Sequence, residues 1–312
     1  MVALAVALAI SLVCTPIAAR AARRFGVVDH PGPLKVQQTP VPYLGGLAVF
    51  AAIAVAVAPQ RPSLLWPLGL ACALGLADDI RGLHARSRLL AEIAIGVVAG
   101  VVAPAPGPVG GVVTAVFLIG MVNAVNLLDG LDGLASGVAL VSALGFAAIS
   151  PDARALALPL AGALAGFLVY NRPPARIYLG DAGAYTLGAA NALLAALALR
   201  DGDASTAWAA VPLLVALPVA DTAIAIVRRW RARRPLFAGD RSHVYDQLVD
   251  RGLTPGRVAL ACAALQASLT LVGVLVVHLA TPWAVALAAT TVVALVLLAT
   301  YGGFVSTAEV RS

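Results

Sequence analysis

Asp78 and Asp79 adjoin at the end of an apolar run and meet Arg81, Arg86 and Arg88. Adjacent carboxylates at a lipid boundary repel each other, and a bound cation relieves that cost. A second apolar run closes on Asn123-Ala-Val-Asn126-Leu-Leu-Asp129-Gly-Leu-Asp132-Gly-Leu, with polar groups at intervals of three. That spacing winds slowly around a helix, and Gly130 and Gly133 let the backbone turn towards a ligand. A plain turn needs no asparagines one and two helical turns upstream. Carboxylate and amide oxygens are the hard ligands that Mg²⁺ takes when it also holds substrate phosphates.

Three further segments carry polar chemistry. Tyr178-Leu-Gly180-Asp181-Ala-Gly183 sets a carboxylate at a helix start, a position equally suited to an N-cap. The basic stretch 228–257 contains Gly239-Asp-Arg241-Ser-His243-Val-Tyr-Asp246. Arginine binds phosphate bidentately and histidine can donate to a phosphate oxygen, so Arg241 and His243 stand apart from the cluster Arg228–Arg234. Asp29-His-Pro-Gly-Pro-Leu-Lys35 leads into Gly45-Gly46, and Lys35 is the only lysine beside twenty arginines. A chain with that bias keeps one lysine where a compact point charge is useful.

The elements that must position these groups are membrane helices. Of 312 residues, 61% are hydrophobic and 12% charged, with a mean hydropathy of +0.94. A soluble domain cannot hide that much apolar surface. The net charge of +6 lies between apolar runs, which points to topology and phosphate contact and not to nucleic acid. Apolar runs bounded by Pro, Gly and charge predict eleven helices. They cover about 2–19, 44–58, 63–77, 89–103, 109–127, 134–150, 155–170, 184–199, 207–227, 258–279 and 284–301. The expected fold is all-α, a polytopic membrane bundle forming one catalytic domain over 1–312, with a long cytoplasmic loop at 228–257. Residues 2–19 read as a retained first helix, not a signal peptide. Cys14, Cys72 and Cys262 lie inside apolar runs and read as packing residues.

Alternate loops hold 18 of the 21 Lys and Arg residues, leaving Arg61, Arg154 and Arg200 on the other side. The positive-inside rule makes the basic side cytoplasmic, with the N-terminus outside and the C-terminus inside. All five polar segments then fall on the cytoplasmic face of the plasma membrane. No internal repeat is visible, so the inverted-repeat pattern of many transporters is missing.

These residues resemble the polyprenyl-phosphate N-acetylhexosamine-1-phosphate transferases, with motifs in family order from Asp29 to Asp246. Asn123–Leu134 is the most specific piece, followed by Asp78-Asp79 through Arg88 and by Gly180-Asp181. The resemblance implies Mg²⁺ (or Mn²⁺) held by Asn126 and Asp181, with Asp132 near the uracil. It implies that Asp78 and Asp79 position or activate the lipid phosphate, with Asp129 counted beside them as catalytic. Lys35, Arg88, Asn123, Arg241 and His243 are the implied substrate contacts. The implied partners are a UDP-N-acetylhexosamine donor and a polyprenyl phosphate acceptor, without nucleic acid, and a homodimer is compatible with the sequence. Two departures stand out: Glu92 replaces the Gln of many relatives, and His243-Val-Tyr245-Asp246 lacks two histidines of the usual loop. The chain therefore looks closer to the branch that initiates surface polysaccharides than to the muramoyl-pentapeptide branch.

Two alternatives are weaker. Asp129-Gly-Leu-Asp132-Gly-Leu-Ala135 partly mimics a CDP-alcohol phosphotransferase, but Ser136 stands where that motif needs Arg, and no acid follows until Asp152. A transporter needs charges near the midplane, where only Asp221 is a clear candidate.

Overall fold

Helix covers most of every apolar run in the computed structural model, which describes residues 1–31, 39–201, 204–233 and 243–306. The order is α1 (Val2–Phe25), β1 (Val28–Asp29), β2 (Val41–Pro42), α2 (Gly45–Val57), α3 (Leu65–Arg81), α4 (Ala85–Val102), α5 (Gly110–Leu128), α6 (Leu134–Ile149) and α7 (Arg154–Asn171). There follow α8 (Gly180–Arg200), α9 (Ala204–Leu214), α10 (Ala216–Arg231), α11 (Val244–Asp250), α12 (Pro255–Val276) and α13 (Thr281–Tyr301). Among the described residues seven helices, counting α3 together with the turn at Pro62–Leu64 before it, are long and apolar enough to cross a membrane, and α9 with α10 makes an eighth span if the bent pair is one. Large apolar side chains such as Val101, Val116, Leu271, Val292 and Val296 are exposed on the bundle's rim. A water-soluble protein does not leave such faces bare; lipid is their solvent. The protein is a helical, multi-pass membrane protein.

The structure departs from the sequence expectation at several ends. α1 runs on to Phe25, because Ala and Arg favour helix, and stops at Gly26 with φ 71°. α3 extends to Arg81, so Asp78 and Asp79 lie inside its last turn and not beyond it. α8 begins at Gly180, which puts Asp181 in its first turn. The stretch 228–257 is not loop throughout: α10 carries Arg228, Arg229 and Arg231, and α11 lies within it. The fold is all-α as expected, with one small antiparallel ribbon that pairs Val28–Asp29 with Val41–Pro42. The three cysteines are free.

The expected ninth helix is two helices bent by 70° around Val215. Pro218 has no N–H to offer the carbonyl four residues back, at Leu214, which opens the ladder there. Gln266 of α12, fully buried, closes the gap. Its Nε2 donates to Leu213 O and Leu214 O at 3.0 Å each, and its Oε1 accepts from Leu217 N–H at 3.0 Å. Backbone groups freed inside a membrane need such a partner. Gln266→Leu leaves them unpaired, at roughly 1–3 kcal/mol each. The expected result is a clearly lower melting temperature in detergent. An unchanged one would show that Gln266 does not hold the bend.

α8 is the axis of the bundle. Its apolar length is wholly buried, enclosed by α2, α3, α5, α6, α7 and α9. Its Ala- and Gly-rich sequence permits that density, since helices in lipid associate through close backbone packing. A Cβ at Gly75 would lie 2.2 Å from Asp181 O, and one at Gly46 would lie 2.1 Å from Gly183 N. Only glycine lets α2 and α3 come so near the first turn of α8.

Candidate active site

Close packing of α3 on α8 brings Asp78 and Asp79 to the N-terminus of α8. Asp79 Oδ1 accepts the Asp181 N–H at 2.9 Å and Oδ2 the Ala182 N–H at 3.0 Å. It therefore caps α8 from a neighbouring helix, placing negative charge at the positive end of the helix dipole. Tyr43 OH donates to the Asp79 carbonyl at 3.2 Å. Gly180, with φ 71°, makes the turn that aims these N–H groups at Asp79.

Asp78 is buried and fully engaged. Its Oδ1 accepts the Leu83 N–H at 2.7 Å. Its Oδ2 accepts from Arg88 Nη1 at 3.0 Å and from Tyr185 OH at 2.6 Å. One carboxylate thus ties together the end of α3, the first turn of α4 and the second turn of α8.

The end of α5 supplies the other half. Asn123 gives both amide hydrogens away, to Glu92 Oε2 at 2.7 Å and Ile119 O at 2.9 Å. Its Oδ1 is what remains to offer. Asn126 follows one turn later, and Asp129 is the C-cap. Asp132 Oδ2 accepts the Ala175 N–H at 2.8 Å. Buried Asn171 clasps the same turn, accepting from Gly133 N–H and donating to Ile177 O.

Asp129 differs from its neighbours, because no hydrogen bond reaches its carboxylate among the described residues. Burial, and then the charges of Asp181, Asp79 and Asp132, push its carboxyl up to about 8. Burial also raises Asp132, against the opposing Ala175 N–H. These acids are near enough to repel one another. No three His, Cys, Asp or Glu side chains form a ready-made metal cage among the described residues.

His243 is the N-cap of α11, and its Nδ1 lies 2.7 Å from Asp221 Oδ2 of α10. Tyr245 stacks on His243 with ring centroids 5.5 Å apart and donates to Leu127 O at 3.0 Å. The loop residue His243 and the Asp129–Asp132 turn are thereby linked through Tyr245. Lys35 and Arg241 lie outside the described residues. The structure thus brings together Asp78, Asp79, Arg88, Asn123, Asn126, Asp129, Asp132 and Asp181 at one end, with His243 beside the α5 turn.

Tyr185, Asn171, Tyr245 and the role of Asp221 were not read from sequence. Tyr185 had a usable signal, since it follows Asp181 by four residues and shares its helix face. Asn171 had none. At the opposite end of the bundle Arg61 pairs with Asp152. Asp201 there accepts from Ser150 Oγ and the Asp152 N–H. A cavity of about 520 Å³ beside Arg61, Asp152 and Arg154 belongs to that end and not to the carboxylates.

A family model described as glycosyl transferase family 4 matches residues 62–199, a stretch that contains Asp78 through Asp181. Decaprenyl-phosphate N-acetylglucosaminephosphotransferase of Mycobacterium tuberculosis is 33% identical over 295 residues, covering 77% of this chain and 73% of that protein. The Bacillus subtilis protein named "Probable undecaprenyl-phosphate N-acetylglucosaminyl 1-phosphate transferase" is 29% identical over 281 residues, covering 81% and 78%. Phospho-N-acetylmuramoyl-pentapeptide-transferase of Moorella thermoacetica is 36% identical over 191 residues, covering 49% of this chain and 60% of that protein.

Proposed function

This chain belongs to glycosyl transferase family 4, and we propose that it moves a sugar-1-phosphate from a UDP-N-acetylhexosamine to polyprenyl phosphate, releasing UMP. The observation that carries this is Asp129, a carboxylate without a hydrogen bond among the described residues, set among Asp79, Asp132 and Asp181 at the end of the bundle. The names of the relatives above, which pair a polyprenyl phosphate with N-acetylglucosamine phosphate, favour N-acetylglucosamine as the sugar. The reading includes eleven spans, the N-terminus outside and the acidic end on the cytoplasmic side of the plasma membrane. The distribution of Lys and Arg supports that orientation.

The lipid phosphate attacks the β-phosphorus of the donor in line. A new pyrophosphate bond forms as the bond to the α-phosphate breaks, and UMP leaves with that oxygen. One pyrophosphate replaces another, so the reaction is near balance and reversible. A phosphate monoester is largely dianionic at neutral pH, with a second pKa of about 6, and needs no strong base. Asp78 and Asp79 organise the site: one fixes Arg88, the other fixes the first turn of α8. Arg88 is then a pre-aimed cation for phosphate oxygens. Asp132, steadied by Ala175, faces the nucleotide base.

Mg²⁺ fits this donor set, with Asp181, Asn126 and Asp129 as the residues that would hold it. Mg²⁺ uses one or two carboxylates with water and substrate phosphate, and the Asp181 and Asp129 carboxylates with the Asn126 amide match that need. When bound, the cation neutralises charge on the diphosphate.

Proton linkage gives an expected result. An Asp with its pKa raised to about 8 in the folded chain binds more protons than in the unfolded chain between roughly pH 4 and pH 8. That group's contribution to the stability of the metal-free protein is therefore full below that window and is lost as pH rises through it. Added Mg²⁺ should release close to one proton at pH 7, and fewer at pH 9. Calorimetry in two buffers of different ionisation enthalpy measures this. No proton release at pH 7 would remove Asp129 from the cation site.

Reversibility offers the test of the reaction itself. Labelled UMP should exchange into the UDP-sugar only when the lipid pyrophosphate product is present. Exchange without the lipid would contradict the proposed acceptor.

A further inference from the structure

Asp221 is the one acid in the α9–α10 bend, and neither the mechanism above nor the match over 62–199 gives it a task. An acid so placed in a membrane protein is kept for function or pairing. It is paired. Its side chain is 2% exposed and that of His243 is 4% exposed. Asp221 Oδ2 faces His243 Nδ1 at 2.7 Å, while Oδ1 accepts the Val244 N–H at 2.8 Å. The carboxylate thus grips both the ring and the backbone that bears it. Asp246 Oδ2 accepts the His243 N–H at 3.3 Å, and the Tyr245 ring lies within 6° of parallel to the imidazole. Tyr245 is pressed onto Gly130, where a Cβ would stand 2.1 Å from its hydroxyl. The ring has no freedom to turn over. Nε2 has no hydrogen bond among the described residues, and it is not one of the enclosed unpartnered atoms.

We propose that Asp221 is the positioning residue of His243, holding a proton on Nδ1 and leaving Nε2 as the atom offered to the substrate's diphosphate. An ionised carboxylate only accepts, so the hydrogen between the two groups sits on Nδ1. To donate to a phosphate oxygen Nε2 takes up a second proton from solvent; the ring then carries both, and Asp221 supplies the opposing charge. The same carboxylate ties the α9–α10 bend to the site, because Asp221 lies on the helix that follows the bend. The diphosphate contact rests on the proposed reaction; the hold on the ring does not.

Asp221→Asn tests it. The amide oxygen can still accept from Val244 N–H, but the NH₂ now faces Nδ1 and supplies no opposing charge, so the ring keeps one proton, on Nε2, and cannot become the doubly protonated cation. Kinetics on the full chain should show kcat/KM lower by about ten- to a hundredfold for Asp221→Asn and for His243→Ala. The double variant should be no worse than the poorer single one, because both act through one ring. Losses that multiply, or an Asp221→Asn enzyme equal to wild type, would overturn the proposal. Nitrogen-15 spectra of histidine-labelled protein give a second reading, with protonated Nδ1 in wild type and protonated Nε2 in Asp221→Asn. A wild-type His243 protonated on Nε2 alone overturns the proposal even where the variant fails to fold. Should wild type transfer nothing from any donor, the reaction is refuted, and the spectra alone decide the role of Asp221.

Discussion

Replacing Asp181 by alanine is expected to lower turnover at least about a thousandfold while the protein stays folded. A thousandfold corresponds to about 4 kcal/mol of transition-state stabilisation, the size reported for losing a preorganised electrostatic group. Stability survives because the structural duty at this position belongs to the backbone. The Asp181 N–H binds Asp79, and that bond is indifferent to the side chain. The Asp181 carboxylate is a source of repulsion, second only to burial in raising Asp129. Removing it relieves the cluster, so the metal-free variant should melt no lower than wild type. Melting without Mg²⁺, paired with a transfer assay, reads both effects. Retained turnover would end its role as a cation ligand, and a collapsed melting temperature would make it structural.

Asp78→Ala should fail in the other way, losing stability and activity together. Three donors converge on that carboxylate: Arg88, Tyr185 and the Leu83 N–H. Alanine strands a half-buried guanidinium and a buried phenol, and breaking a buried ion pair costs about 3–5 kcal/mol. Urea or thermal melts of Asp78→Ala and Asp181→Ala, run side by side, separate the organiser from the ligand. If Asp78→Ala were as stable as wild type yet inactive, Asp78 would act on the substrate and not on the frame.

The sequence made the membrane bundle and its acidic end legible for identifiable reasons. Apolar runs ended by charge set the helices, and the intervals of three from Asn123 to Asp132 marked the α5 turn. What stayed hidden depends on contacts across the chain. Gln266 is a single amide in an apolar run, with no local sign that it repairs the backbone 49 residues away. Asp221 was visible as a deep acid, the one charge a transport reading had to offer, yet its partner His243 comes 22 residues later in a basic stretch. The break at Val215 had a local sign in Pro218, but the run stays apolar on both sides and so read as one helix. The helix ends at Arg81 and Gly180 were misjudged because charged residues there read as loop. They are helical because Asp79 caps α8 and Asp78 binds the turn after α3.

The most direct measurement is UMP release by the purified protein from a panel of UDP-N-acetylhexosamines, with and without polyprenyl phosphate and Mg²⁺. The account predicts UMP from one preferred donor, only when both the lipid and the metal are present. UMP formed equally without the lipid, or none from any donor by protein verified as folded, would contradict it.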